Sequence, residues 1–406
     1  MRPCAPLLAA VFFASVASGA QTHGRFSIEN FYSKDSSAAY DRSLLTARVR
    51  LDMTKLNEAG TISLHFDGSE RLNLGAKDYA DSTANDRIDI MDVEYAGERL
   101  FLSVGRFWPH ELPIERVDGV NAVLRRGDYG MGVFGGYNPN PYTEAFTTAF
   151  TTAGAYLYYR KEAVGARLAY VHKGYKGATD RRYVYGELTY YPAHGVSVYT
   201  NATVDFNEKD LGARLTNGIV ELTYRPDYTR SVTVGYNQFR AFRLFASMDF
   251  AVDDSRQEAY YVSANYRFKE RYTLYARVER QTRYYPAVET QLDDAMVYGL
   301  GVSGSNLYDT GVNGDLNITL SDSYGSLHTT YGLQFDRYNW DVLQVIVHAS
   351  YTQNEYGAGN NDDIVGFGVA GYLYVLKDWN LSASFDMEHG RDYDVKSFFT
   401  RASYRY

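Results

Sequence analysis

The last ten residues, Ser397-Phe398-Phe399-Thr400-Arg401-Ala402-Ser403-Tyr404-Arg405-Tyr406, set the reading of everything before them. At a period of two, Phe398, Thr400, Ala402, Tyr404 and Tyr406 fall on one face, and Phe399, Arg401, Ser403 and Arg405 on the other. A strand with one apolar, aromatic-ended face and one charged face suits a boundary between hydrocarbon and water. One such strand could equally close a soluble sheet. The pattern carries weight because it recurs along almost the whole chain.

Working outward, Leu45, Ala47, Val49, Leu51 and Met53 oppose Thr46, Arg48, Arg50 and Asp52. Tyr260, Val262, Ala264, Tyr266 and Phe268 oppose Tyr261, Ser263, Asn265 and Arg267, and Val312, Gly314, Leu316, Ile318 and Leu320 oppose Asn313, Asp315, Asn317 and Thr319. Short turns such as Gly97–Arg99, Gly127-Asp128, Lys269–Arg271 and Lys377–Trp379 alternate with longer acidic loops such as Leu72–Asp86, Pro109–Asp118, Pro139–Thr152, Lys176–Arg181, Phe242–Arg256, Asp322–Ser326 and Gln353–Asp363. Between Arg87 and Tyr95 the phase slips from Ile88 and Ile90 to Met91, Val93 and Tyr95, which predicts a β-bulge. The expected fold is all-β, a closed antiparallel transmembrane β-barrel of about 22 strands (range 18–22) with short periplasmic turns and longer extracellular loops. A soluble sandwich would hide the same apolar faces in a dry core. Aromatics crowding the ends of those faces favour the barrel.

Composition agrees. The 406 residues include 39 Tyr, 21 Phe and 35 Gly against 9 Pro, and a net charge of −8 argues against a nucleic-acid partner. Arg2, the apolar Leu7–Ala17 and the small residues Ser18-Gly19-Ala20 read as an export signal over residues 1–20. Residues 21–406 are then one barrel domain with no plug domain. The single cysteine, Cys4, falls in the leader, so the exported chain has no disulfide, no Cys-ligated metal and no haem attachment site. No cofactor is expected.

The final aromatic with Ala402, Tyr404 and Tyr406 spaced by two resembles the C-terminal assembly signal of bacterial outer-membrane barrels. Val104-Gly105-Arg106-Phe107 followed by Val117-Asp118-Gly119-Val120 resembles a strand–loop–strand pattern of porin-like barrels. These resemblances imply the bacterial outer membrane, contact with its lipid and lipopolysaccharide, and a channel for small hydrophilic solutes. A barrel of 22 strands is roughly 40 Å across. No connection exceeds about fifteen residues, so no long inward-folding loop is expected. A wide barrel without its own filler resembles the barrel component of porin–cytochrome conduits, which implies the alternative: a sheath around a multihaem cytochrome in the lumen, serving electron transfer.

The faces opposite the apolar ones supply the expected lumen lining: Arg48, Arg50, Asp67, Arg167, Glu187, Glu221, Arg267, Arg277, Glu279, Asp315, Arg401 and Arg405. Their mixed signs predict weak ion selectivity. No catalytic constellation is expected: His65, beside Asp67, and His110 in a Pro-flanked loop belong to no Gly-x-Ser-x-Gly or His-Glu-x-x-His motif. The chain is read as a non-enzyme. Acidic pairs such as Asp253-Asp254, Asp293-Asp294 and Asp362-Asp363 read as a solvated rim.

Overall fold

The computed structural model describes residues 20–36, 41–75, 86–109, 111–112, 115–141, 143–206, 212–241, 244, 246–247, 255–285, 290–291, 294–323, 326–339, 342–356 and 360–406. The expected export signal lies outside these residues except for its last, as do His110, Asp253, Asp254 and Asp293.

Among the described residues the strands are β1 (Gln21–Asp35), β2 (Arg42–Thr54), β3 (Ile62–Asn73), β4 (Asp86–Ala96), β5 (Leu100–Phe107), β6 (Val117–Arg126), β7 (Tyr129–Tyr137), β8 (Phe150–Lys161), β9 (Val164–Tyr175), β10 (Ala178–Ala193), β11 (Val196–Phe206) and β12 (Ala213–Tyr224). They continue as β13 (Arg230–Arg240), β14 (Arg256–Phe268), β15 (Tyr272–Tyr285), β16 (Thr290–Gln291), β17 (Ala295–Leu307), β18 (Val312–Ser323), β19 (Ser326–Asn339), β20 (Leu343–Tyr356), β21 (Asn360–Leu376), β22 (Trp379–His389) and β23 (Asp394–Arg405). The two-residue β16 is a spur on Tyr284 and Tyr285. The other 22 strands each pair antiparallel with the next, β15 passing directly to β17. β1 then pairs with β23 from Arg25↔Arg405 to Asp35↔Val395, which closes the barrel. At the seam the Gly24 N–H donates to the Tyr406 carbonyl at 3.0 Å, and the Tyr406 N–H donates back at 3.1 Å. Closure leaves no open sheet edge.

The alternation read from the sequence is the alternation of the wall. Val104, Val120, Leu124, Val133, Leu157, Leu168, Val262, Leu300 and Leu316 stand exposed on the outer face, 48–59 % open. Aromatics gather where strands meet turns: Trp379 and Tyr404 at 5.0 Å between ring centres, Phe268 and Tyr272 at 5.3 Å, Tyr129 and Tyr159 at 4.7 Å. At the other end of the strands Tyr236 faces Tyr260 at 4.8 Å. An apolar band between aromatic girdles is the outer surface that hydrocarbon solvates. The packed residues lie inward instead, in one cluster of Phe101, Phe107, Leu112, Val117, Val123, Phe134, Tyr156, Ala169, Val171, Tyr183 and Tyr185 on the β5–β10 wall.

The slip expected between Arg87 and Tyr95 is a bulge at Asp89, where β3 and β4 shift register between Asp67 and Gly68. A second shift sets Thr216 aside between β11 and β12. Short turns are held by local chemistry. Asp227 accepts the Thr229 and Arg230 N–H groups at 2.7 and 3.0 Å, and with the Thr229 hydroxyl these hold its carboxyl below the usual carboxylate range. Three expected long loops are shortened because the strands run on: β9 and β10 meet across Lys176 and Gly177, and β19 and β21 begin at Ser326 and Asn360.

Candidate functional site

Three glycines in register bend the wall. Gly105 pairs with Gly119 and Gly119 with Gly136, with φ of +128° at Gly105 and +159° at Gly136. A Cβ on Gly119 would sit 2.1 Å from the Gly135 carbonyl oxygen, so β6 and β7 approach more closely there than side chains allow. Directly beyond this line Glu111, Leu112 and Glu115, in the short connection between β5 and β6, pack against the inner face of the wall.

Two buried carboxylates clamp the segment. Glu111, 6 % exposed, accepts both Arg160 Nη2 contacts at 2.7 and 2.8 Å and sits 3.4 Å from Arg167 Nε. Glu115, 1 % exposed, faces Lys173 Nζ at 2.9 Å and accepts the Tyr183 hydroxyl. Leu112 enters the apolar cluster between them. Removing Glu115 would leave the buried Tyr183 hydroxyl without its acceptor and the partly exposed Lys173 without its carboxylate, a cost of about 3 kcal/mol, whereas the Arg160 partner of Glu111 can turn to water.

Beside the clamp, the bulged Asp89 collects arginines. Arg48 Nη2 lies 3.3 Å from it, Arg116 Nη1 3.2 Å, and Arg87 also bonds to it. Arg48 reaches the Asp67 carboxylate through two bonds of 2.7 and 2.8 Å. Arg106 holds Asp118 through Nη2 at 2.6 Å and donates through Nη1 to the carbonyls of Ile88 and Glu144 at 2.8 and 3.0 Å. Arg116 pairs with Glu144 and stacks 5.7 Å above Trp108. The segment, the β7–β8 connection and the bulge are thereby joined.

Ten of the twelve residues selected from the sequence alternate with exposed apolar side chains of their strands; Arg48 and Arg50 alternate on β2 with Leu51 and Met53, which are buried, and the structure does not bring the twelve to one point. Arg48 and Asp67 join the network above. Arg50 contacts Asp52 at 3.3 Å. Arg167 lies 3.5 Å from Glu187, which accepts the Tyr185 hydroxyl at 2.6 Å. Arg277 bonds Glu279 at 2.9 Å and covers the Tyr261 ring at 4.1 Å. Arg401 contacts Glu29 at 3.2 Å, and Arg405 pairs in register with Arg25. Glu221 accepts the Tyr261 hydroxyl, and Asp315 the Tyr275 hydroxyl at 2.9 and 3.0 Å. His65 is held between Asp52 at 2.9 Å and Glu94 at 3.4 Å, with carboxylates on both ring nitrogens.

Sequence reasoning missed Glu111, Glu115, Asp89, and the Arg181–Asp205 pair at 3.0 Å. It also missed why Tyr and Gly are so abundant. The Tyr275 ring lies flat over Gly301, where a Cβ would meet it at 2.2 Å, and so reaches Asp315 two strands away. Tyr261 crosses Gly235 to Glu221, Tyr156 crosses Gly132 to Asn121 (2.9 Å), and His348 crosses Gly368 to Asp386 (3.3 Å). Each glycine is a slot for a ring.

The wall opposite the clamp is bare. Gly299, Thr319, Thr330 and Thr352 form one register row across β17–β20, and the last two hydroxyls bond at 3.0 Å. The next row, Gly301, Asn317, Gly332, Ser350 and Gly366, is equally small and uncharged.

No family model matches the chain. No curated protein matches it. Among solved structures it is similar to Pseudomonas aeruginosa OpdK with vanillate (10 % identity, 95 % of this chain and 98 % of that one, TM-score 0.49) and to Acinetobacter baumannii OccAB2 (12 %, 95 % and 98 %, TM-score 0.47). It is also similar to Pseudomonas aeruginosa OccK7 (OpdD), at 10 % identity over 95 % of this chain and 98 % of that one, with a TM-score of 0.50. At that identity the likeness is one of fold: a single barrel matched nearly end to end.

Proposed function

We propose that the chain is a channel of the bacterial outer membrane that passes small hydrophilic solutes. One observation carries this reading: a closed wall with an apolar, aromatic-girdled outside and a hydrated, charge-bearing inside, narrowed from one side only. The passage runs between the clamped Trp108–Arg116 segment and the small uncharged rows of β17–β20. Arg48, Arg50, Arg167, Arg267, Arg277, Arg401 and Arg405 line it with Asp67, Glu187, Glu221, Glu279 and Asp315. Eight of the twelve stand within salt-bridge distance of an opposite charge, so the net field along the path is small and ion selectivity weak. On this reading residues 21–406 form the barrel, set in lipid and lipopolysaccharide after loss of residues 1–20 as an export signal, and passage of solutes calls for no covalent chemistry. A multihaem cytochrome in the lumen would have to share space with the clamped segment, so the open channel is the better reading.

Planar-bilayer recordings of the purified protein test this. The expected result is steady ohmic steps with little preference between potassium and chloride. A sealed barrel in pure lipid, or copurification from native membranes with a stoichiometric haem protein, would defeat it.

A further inference from the structure

We infer that the inner wall holds a subsite for a short zwitterionic solute of dipeptide size, at the end of the barrel opposite the clamped segment. The inference names a solute class for the proposed channel and so rests on that reading. A cavity of about 410 Å³ opens there, beside the turns that join β14 to β15 and β17 to β18. Its floor is a register row running Arg267, Thr273, Ser303, Asp315 and Gln334 across five neighbouring strands. Asn313 and Asp336, paired in the adjoining row, complete it.

Charge sets this cavity apart. At several places elsewhere on the inner wall a cation stands against an anion: Arg48 with Asp67, Arg181 with Asp205, Arg277 with Glu279, Arg401 with Glu29. Here the signs are separated. Among the described residues the Arg267 guanidinium has no carboxylate within salt-bridge distance. Asp315 is held only by the neutral donors Tyr275 and Asn317, and Asp336 only by Asn313 at 2.9 Å. The second arginine of the cavity, Arg271, is committed to Asp309 at 2.7 Å. Strands about 4.8 Å apart place the Arg267 and Asp315 backbones roughly 14 Å from each other along the wall. Side chains reaching in from both ends leave a gap that suits an extended dipeptide.

The solute's carboxylate would meet Arg267 in a charge-assisted bond, and its ammonium would meet Asp315 and Asp336. Thr273, Ser303 and Gln334 offer hydroxyl and amide groups to the peptide unit between. Glu270, on the β14–β15 turn, also lines the cavity, so a simple carboxylate would gain Arg267 but face three anions, a simple amine would face the arginine, and a sugar would leave both signs uncompensated.

Calorimetric titration of the detergent-solubilised barrel with L-alanyl-L-alanine, its N-acetyl and C-amide forms, and sucrose tests the proposal. The free dipeptide is expected to bind, each cap to weaken it by about tenfold or more, and sucrose to give no heat. Arg267→Gln should weaken the dipeptide and leave the C-amide form as it was, and Asp336→Asn should do the same for the N-acetyl form. Heat-modifiable migration on gels reports that each variant is folded. Equal binding of capped and free forms, unaltered binding in both variants, or no binding at millimolar dipeptide would overturn the subsite. Bilayer recordings on the same samples keep the two readings apart: an open channel that ignores the dipeptide defeats the subsite alone, and a sealed barrel that binds it defeats the channel alone.

Discussion

The two halves of the inner wall are finished in opposite ways. Across β5–β10, beyond the glycine line Gly105, Gly119 and Gly136, extra polypeptide lies inward, and ion pairs to two buried carboxylates fasten it over an apolar cluster. Across β17–β20 nothing is added: two register rows carry only glycine, serine, threonine and Asn317, and the nearby Tyr275 lies flat in a glycine slot. The first half spends long-range charge pairs to thicken the wall, and the second removes volume to keep it thin. The passage is therefore eccentric, and its width is decided on one side only.

The largest test breaks the thick side. Glu115→Ala leaves the buried Tyr183 hydroxyl without its acceptor and the partly exposed Lys173 without its carboxylate, at about 3 kcal/mol. That cost is expected to release the segment and not the barrel, so single-channel conductance should rise and fluctuate while heat-modifiable migration persists. Unchanged conductance in a folded variant would show that the segment does not set the width. The next test contrasts the two faces of the thin side. Leu300→Arg puts a cation on the outer band, where midplane arginines cost about 2–4 kcal/mol, and should lower folded yield in lipid vesicles. Ser350→Arg on the inner face should leave yield unchanged and reduce conductance. Equal penalties would contradict the assignment of outer and inner faces.

The thin side was legible in the sequence and the thick side was not. Period-two alternation fixes every strand's faces from neighbours two residues apart, and the same rule exposed the bulge near Asp89 through a phase slip. The clamp obeys no such rule. Glu111 and Glu115 sit in a polar stretch like any other loop, and their partners Arg160 and Tyr183 lie 49 and 68 residues further on. Only the register of the closed barrel brings them together. The glycine slots are hidden for the same reason, since Gly301 and Tyr275 meet across strands. The aromatic and glycine counts were visible, but not their pairing.

The bend itself gives a smaller effect. Gly119→Ala sets a methyl against the Gly135 carbonyl oxygen, 2.1 Å from the ideal Cβ, where only backbone movement can relieve it. Overpacking of this kind costs about 1–3 kcal/mol. The bend should relax, the segment should lose its approach angle, and chemical unfolding should shift to lower denaturant with conductance altered in the same direction as Glu115→Ala.

The smallest expected effect lies on the thin side and asks whether its rings are held by their slots or by their hydroxyls. Tyr275→Phe removes the bond to Asp315, which keeps Asn317, so the loss should be about 1 kcal/mol. The ring should stay in the Gly301 slot and the conductance should not change. Gly301→Ala fills the slot instead: a Cβ there would stand 2.2 Å from the ring, and the flexible tyrosine, not the backbone, gives way. The ring would then swing off the wall into the passage, so conductance should fall although a single methyl was added. If Tyr275→Phe narrows the channel as much as Gly301→Ala does, the hydroxyl bond holds the ring down, and the thin wall would depend on polar pairs just as the thick one does.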